Sequence, residues 1–198
     1  MQDGQNLFFA EEAAFGKHWR VSETLALLER MCLVRQVIVV GIYPRERERE
    51  YTRPGYERYA RFLVRELKPK IDREYRTLSG PRDTTVMGSS LGGVVSLYLA
   101  WQYPRIFGQV GALSATLGYR DDLTQRVLTE KKRALRIYLD SGWPRDNYEA
   151  VRAFASALRS RGYGDGADFL YLAHPQARHE EDAWAARLHL PFQFFYRR

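Results

Sequence analysis

A chain of 198 residues, 45% apolar and 28% charged, is long enough to bury a substantial core, and its composition is that of an ordinary globular domain over 1–198. The net charge of +7 does not mark a nucleic-acid partner, because basic residues are spread through the helical stretches and interleaved with acids, as on a solvated surface. Cys32 stands alone, which excludes an internal disulfide. With no apolar run near the ~18 residues of a membrane span and no visible signal peptide, the expectation is cytoplasmic and off the membrane.

The chain opens Met1-Gln2-Asp3-Gly4-Gln5-Asn6, which reads as a loop following a strand, although no strand leads into it. Residues 19–32 carry helical spacing, with Leu25, Leu27, Leu28 and Met31 available for one buried face. The nearly continuous apolar run 34–42 predicts a strand buried on both faces of a parallel sheet. A charged Arg/Glu loop follows over 43–54, then a long helix over 56–75, bent at Pro69 for want of a backbone donor. Further strands are expected at 84–89, 110–113, 135–139 and 169–173, with helices over 90–103, within 114–133, over 148–161 and from 181 onward. Strands alternating with helices predict a doubly wound, mostly parallel α/β sheet with helices on both faces.

The stretch Val86-Met87-Gly88-Ser89-Ser90-Leu91-Gly92-Gly93 carries the chemistry. A β-branched run ends in Gly-x-Ser-x-Gly and a helical pattern begins at once, the strand–turn–helix context of a nucleophile elbow. In so tight a turn the central residue is strained, and glycines two positions either side avoid a collision with strand or helix. Ser90 is that central residue, so it and not Ser89 is the candidate nucleophile. The same residues could also form a plain Ser/Gly turn capping a helix.

A serine hydroxyl needs a base, and the base an orienting acid. In α/β-hydrolases the chain order is Ser, then Asp or Glu, then His. His18 precedes the elbow and His189 lies within the last helix. His179, at a loop-to-helix junction after the last strand, is the preferred base over His174 at the strand end. Asp146, in the loop after the preceding strand, is the preferred acid, although it could cap the helix near Tyr148; Asp140 is the alternative. Backbone donors for an oxyanion are expected from Leu91, after the nucleophile, and from Gln5 in the Asp-Gly-Gln loop. Arg45, Arg47, Arg49, Tyr43 and Tyr51 could rim a pocket, though a solvated loop suits most of them, and Trp143 could pack on substrate or only cover the core.

Asp3-Gly4-Gln5-Asn6-Leu7-Phe8, Val39-Val40-Gly41-Ile42, Arg47-x-x-Glu50-Tyr51-Thr52-x-Pro54, Gly88-Ser89-Ser90-Leu91-Gly92-Gly93, Tyr103-Pro104-x-x-Phe107-Gly108 and His179-x-x-x-x-Trp184 together resemble the Putative esterase family. That family holds enterochelin-esterase-like and esterase D-like serine hydrolases, feruloyl esterases and mycolyltransferases. The resemblance runs over almost the whole chain. It implies an α/β-hydrolase fold, a nucleophile at Ser90, a base at His179, no cofactor and a small-molecule ester as substrate. Two departures stand out. The family acid commonly follows Gly-Thr-x-Glu or Gly-x-x-Asp, whereas here it comes one residue later, with Arg145 in its place. Family members also carry strands before the Asp-Gly-Gln loop, so N-terminal strands are expected to be missing, which would leave a sheet edge unpaired and any export signal unseen. Hydrolysis of a carboxylic ester is the leading expectation. Acyl transfer on the same fold and a non-catalytic binding module are the alternatives.

Overall fold

The computed structural model describes all residues 1–198. Four parallel strands, β1 (Thr85–Ser89), β2 (Gln109–Leu113), β3 (Arg136–Trp143) and β4 (Phe169–Pro175), lie side by side in chain order. Alternation along them splits the core in two. Val86, Val110, Ala112, Ile137 and Leu139 face a cluster of 30 buried residues, while Met87, Leu113 and Tyr138 face one of 14. Burial on both faces is why these strands read as continuous apolar runs.

The first cluster is covered by α3 (Tyr56–Phe62), α5 (Ser90–Gln102), α6 (Leu123–Thr129) and α7 (Tyr148–Ser160). The second is covered by α1 (Val21–Arg30), α8 (Glu181–Arg187) and α9 (His189–Tyr196). The expected sheet with helices on both faces is therefore present. All three crossovers between neighbouring strands pack on one face, and the chain's outer segments cover the other.

Five elements differ from the sequence reading. The run 34–42 is extended but forms no strand: only Val34 and Ile42 make isolated bridges, to Arg197 and Gln2. The backbone alongside it is Met1–Gln2, linked by Met1 N to Val40 O (2.7 Å), Ile42 N to Met1 O (2.9 Å) and Gln2 N to Met87 O (2.8 Å). A cleft of about 620 Å³ lies between segment 36–40 and the outer edge of β1, and Ile38 is 52% exposed. The charged loop 43–54 winds into a short helix, α2 (Arg47–Tyr51). The helix over 56–75 takes a π turn at Leu63–Leu67 before continuing as α4 (Lys68–Glu74), so the backbone adjusts in the turn before Pro69. The helix from 181 onward is two helices meeting at Leu188, and β3 runs four residues beyond 139, which puts Asp140 inside the strand.

The turn from β1 into α5 is held by backbone proximity. A Cβ on Gly88 would lie 2.6 Å from the Gly92 carbonyl, while one on Gly92 would lie 3.1 Å from Asp3 Oδ2 and from Gln2 Cβ. The first contact is a severe overlap with rigid backbone, and the second is a milder crowding of a few tenths of an ångström. Gly88→Ala is therefore expected to destabilise the fold by about 1–3 kcal/mol or more, and Gly92→Ala by less, in urea unfolding monitored by circular dichroism.

Candidate active site

Ser90 opens α5 with φ 54°, a left-handed conformation costly for a residue with a Cβ. It is half-buried, and Leu91 follows in the first helical turn, where amides have no intrahelical acceptor. The Asp-Gly-Gln loop packs against this turn through Asp3 and Gln2. Gln5 sits in a 3-10 turn, Gly4–Asn6, and no acceptor in the protein takes its amide proton. Asp3, itself at φ 53°, is gripped by Arg47 through two bonds of 2.7 and 2.8 Å, and its amide donates to Tyr51 Oη at 3.1 Å. Arg47 and Tyr51 thus hold the loop in place, Tyr51 fully buried and the Arg47 side chain 40% exposed. Tyr43 donates to Glu12, and Arg49 pairs with Glu46 at the surface. Trp143, at the end of β3, is 46% exposed.

The loop after β3 carries the candidate acid. Asp146 Oδ1 lies 2.6 Å from His179 Nδ1. Its other oxygen accepts from Ser114 Oγ (2.6 Å), the Gly142 amide (2.8 Å) and Arg187 Nη2 (3.4 Å). Burial pushes this carboxyl up, but the bonds from His179, Ser114 and Gly142 outweigh it and hold Asp146 below the usual carboxylate range. Asp146 lies at φ 65° just before α7 and makes no cap bond to that helix. His179 stands in the loop before α8, with the Trp184 ring edge-on to it at 5.0 Å.

Asp140 sits elsewhere. It is fully buried in β3, accepts from Tyr138 Oη (3.0 Å) and forms an ion pair of 3.1 Å with Arg187. That contact is not aligned as a hydrogen bond, so Oδ1 depends on charge alone. Burial raises the Asp140 carboxyl to about 6, against the opposing pull of Arg187. His174, the alternative base, lies within β4 with Nε2 buried and unpartnered; burial and then Arg187 push its pKa down. It makes no bond to either aspartate.

No hydrogen bond joins Ser90 to His179. Ser90 Oγ lies instead 3.0 Å from Thr116 Oγ1 in the loop after β2. Ser114, Thr116, Asn147 and Arg187 are the site residues the sequence reading missed. Arg187 alone left a signal, as a charged residue on a helix face shared with apolar Trp184 and Leu188. No group of three or more His, Cys, Asp or Glu is placed to hold a metal ion, and no helix is long and apolar enough to cross a membrane.

The model of the family described as Putative esterase matches residues 1–190. The chain belongs to that family. The uncharacterized protein YbbA of Bacillus subtilis (strain 168) is 24% identical over 123 residues, 54% of this chain and 49% of that one. Among solved structures, the ferric enterobactin esterase of Salmonella typhimurium superposes with a TM-score of 0.77 at 21% identity, over 98% of this chain and 49% of that chain. A ferulic acid esterase also reaches 0.77, at 17% identity, over 90% of this chain and 77% of its own. These likenesses show the α/β-hydrolase fold. The chain spans about half the length of YbbA and of the enterobactin esterase.

Asp140 provides a pH-dependent test of the buried charges. Its folded pKa is raised, so between about pH 4 and 6 the native state holds a proton that the unfolded chain has lost. The destabilisation from its ionisation therefore grows as pH rises through that window and is complete above it. Asp140→Asn does not incur this cost. Its urea stability relative to the parent is expected to improve by about 1–1.5 kcal/mol on going from pH 5 to pH 8.

Proposed function

We propose that this member of the Putative esterase family is a serine carboxylesterase acting through an acyl-enzyme. Ser90 is the nucleophile, His179 the general base and Asp146 the acid that orients it. The observation that carries the reading is the 2.6 Å bond from His179 Nδ1 to a buried Asp146 carboxylate in a chain whose Ser90 occupies the strained turn of a Gly-x-Ser-x-Gly elbow. A carboxylate on Nδ1 keeps that nitrogen protonated and leaves Nε2 unprotonated, the form able to take a proton from serine.

In the first step the Ser90 oxygen attacks the ester carbonyl carbon while its proton passes to His179 Nε2. The carbonyl π electrons move to oxygen, and the Leu91 and Gln5 amides are the donors proposed for that charge. His179 then protonates the leaving alcohol, giving an acyl-Ser90. Water repeats the sequence with His179 as base and releases the acid. The Asp146 carboxylate stays ionised throughout and stabilises the imidazolium. The Ser90–His179 bond absent from the free protein is one that commonly forms only when substrate is bound.

A fluorophosphonate probe should label the protein, and Ser90→Ala should abolish labelling while Ser89→Ala keeps much of it. With p-nitrophenyl esters of short acids, His179→Ala should lower kcat by on the order of 10³ or more, and His174→Ala should have a modest effect. Asp146→Asn should lower kcat about 10²–10⁴-fold in the folded protein and also lower its thermal stability, because asparagine cannot supply the anionic acceptor that the imidazolium and Arg187 need. Full activity in Asp146→Asn with loss in Asp140→Asn would reassign the acid.

A further inference from the structure

The loop after β3 reaches both halves of the candidate site. Asp146 and Asn147 are consecutive left-handed residues, at φ 65° and 60°, and their side chains bond different partners. Asp146 bonds His179. Asn147 Nδ2 bonds the Ser114 carbonyl at 2.8 Å and Thr116 Oγ1 at 3.2 Å. Thr116 Oγ1 in turn lies 3.0 Å from Ser90 Oγ.

The direction of the Asn147 bonds follows from the first of them. A backbone carbonyl has no proton to give, so the Asn147 atom facing Ser114 O must be the amide nitrogen. The same nitrogen is the donor to Thr116, whose oxygen therefore accepts from Asn147 and has its own proton available for Ser90. The Thr116 amide also donates to the Ser90 carbonyl at 3.2 Å, which fixes the two residues against each other.

We propose that Thr116, oriented by Asn147, donates a hydrogen bond to the Ser90 oxygen and is a further catalytic residue of the esterase reaction. With one lone pair of Oγ engaged by Thr116, the Ser90 proton is turned away from that bond and is free for His179. As the proton leaves, negative charge builds on Oγ, and a hydrogen bond to a charged acceptor strengthens. The same donor helps the oxygen leave when the acyl-enzyme is hydrolysed. Asn147 is a positioning residue, acting through Thr116. The inference rests on Ser90 being the nucleophile.

The test compares Thr116→Val, which keeps the shape and removes the hydroxyl, with Thr116→Ser, which restores it. Two rates are read: fluorophosphonate inactivation across pH, and turnover of p-nitrophenyl butyrate. Thr116→Val should label and turn over about 10–100-fold more slowly, with KM within about twofold. Its labelling rate should plateau lower at high pH without a shift of the midpoint, since the base is untouched. Thr116→Ser should recover to within about threefold of the parent. Should the valine variant fail to fold, Asn147→Gly removes the orienting amide at a position glycine tolerates, and kcat should fall about 3–10-fold. Parental rates in Thr116→Val, or an equal loss in the serine variant, would overturn the inference while leaving the Ser90 reading intact. A parent protein that the probe never labels would overturn the Ser90 reading and this inference with it.

Discussion

The buried carboxylate of Asp146 is the point on which the candidate site depends. It accepts hydrogen bonds from three residues distant in sequence, His179 before α8, Ser114 after β2 and Arg187 at the end of α8, and from the nearby Gly142 in β3. A desolvated carboxylate is costly unless its lone pairs are satisfied, and here both oxygens are engaged. The bonds also act as a clamp. They fix the end of β3 against the loop after β2, and they dock α8 so that the loop before it presents His179. Ser114 shows how fully the network is used, since its hydroxyl donates to Asp146 while accepting from Trp184 Nε1 and Arg187 Nη2.

A second clamp holds the other side of the site. Arg47 grips Asp3 with both arms of its guanidinium, and Tyr51 takes the Asp3 amide, so the short helix of the charged loop braces the Asp-Gly-Gln turn against α5. A planar fork matched to a carboxylate is the geometry in which arginine is hardest to replace by lysine. This gives the Arg-x-x-Glu-Tyr sequence a structural task, where the sequence alone left it between a pocket rim and a solvated loop.

What could be read in the sequence was what is written in local pattern. Strands buried on both faces announce themselves as apolar runs, and the elbow announces itself by glycine spacing, so β1 to β4 and the strained turn at Ser90 were legible. Asp146 and His179, chosen for their places after two strands, are brought into contact. The run 34–42 was misread because its apolar residues satisfy a strand's pattern, while strand formation also needs neighbours on which to hydrogen bond, and only Met1–Gln2 lies alongside. Ser114, Thr116 and Asn147 were illegible for a related reason. Their positions in the site come from a three-dimensional meeting of the loops after β2 and β3, and a short polar residue in a loop has no distinctive sequence signature.

The most direct measurement on the central claim is the mass of the protein during turnover of a slowly released ester, followed by peptide mapping. The proposal predicts a transient increase equal to the acyl group, confined to the tryptic peptide 83–105 that contains Ser90 and absent from Ser90→Ala. Steady release of product with no acylated species at any time, at a rate that Ser90→Ala leaves unchanged, would contradict it.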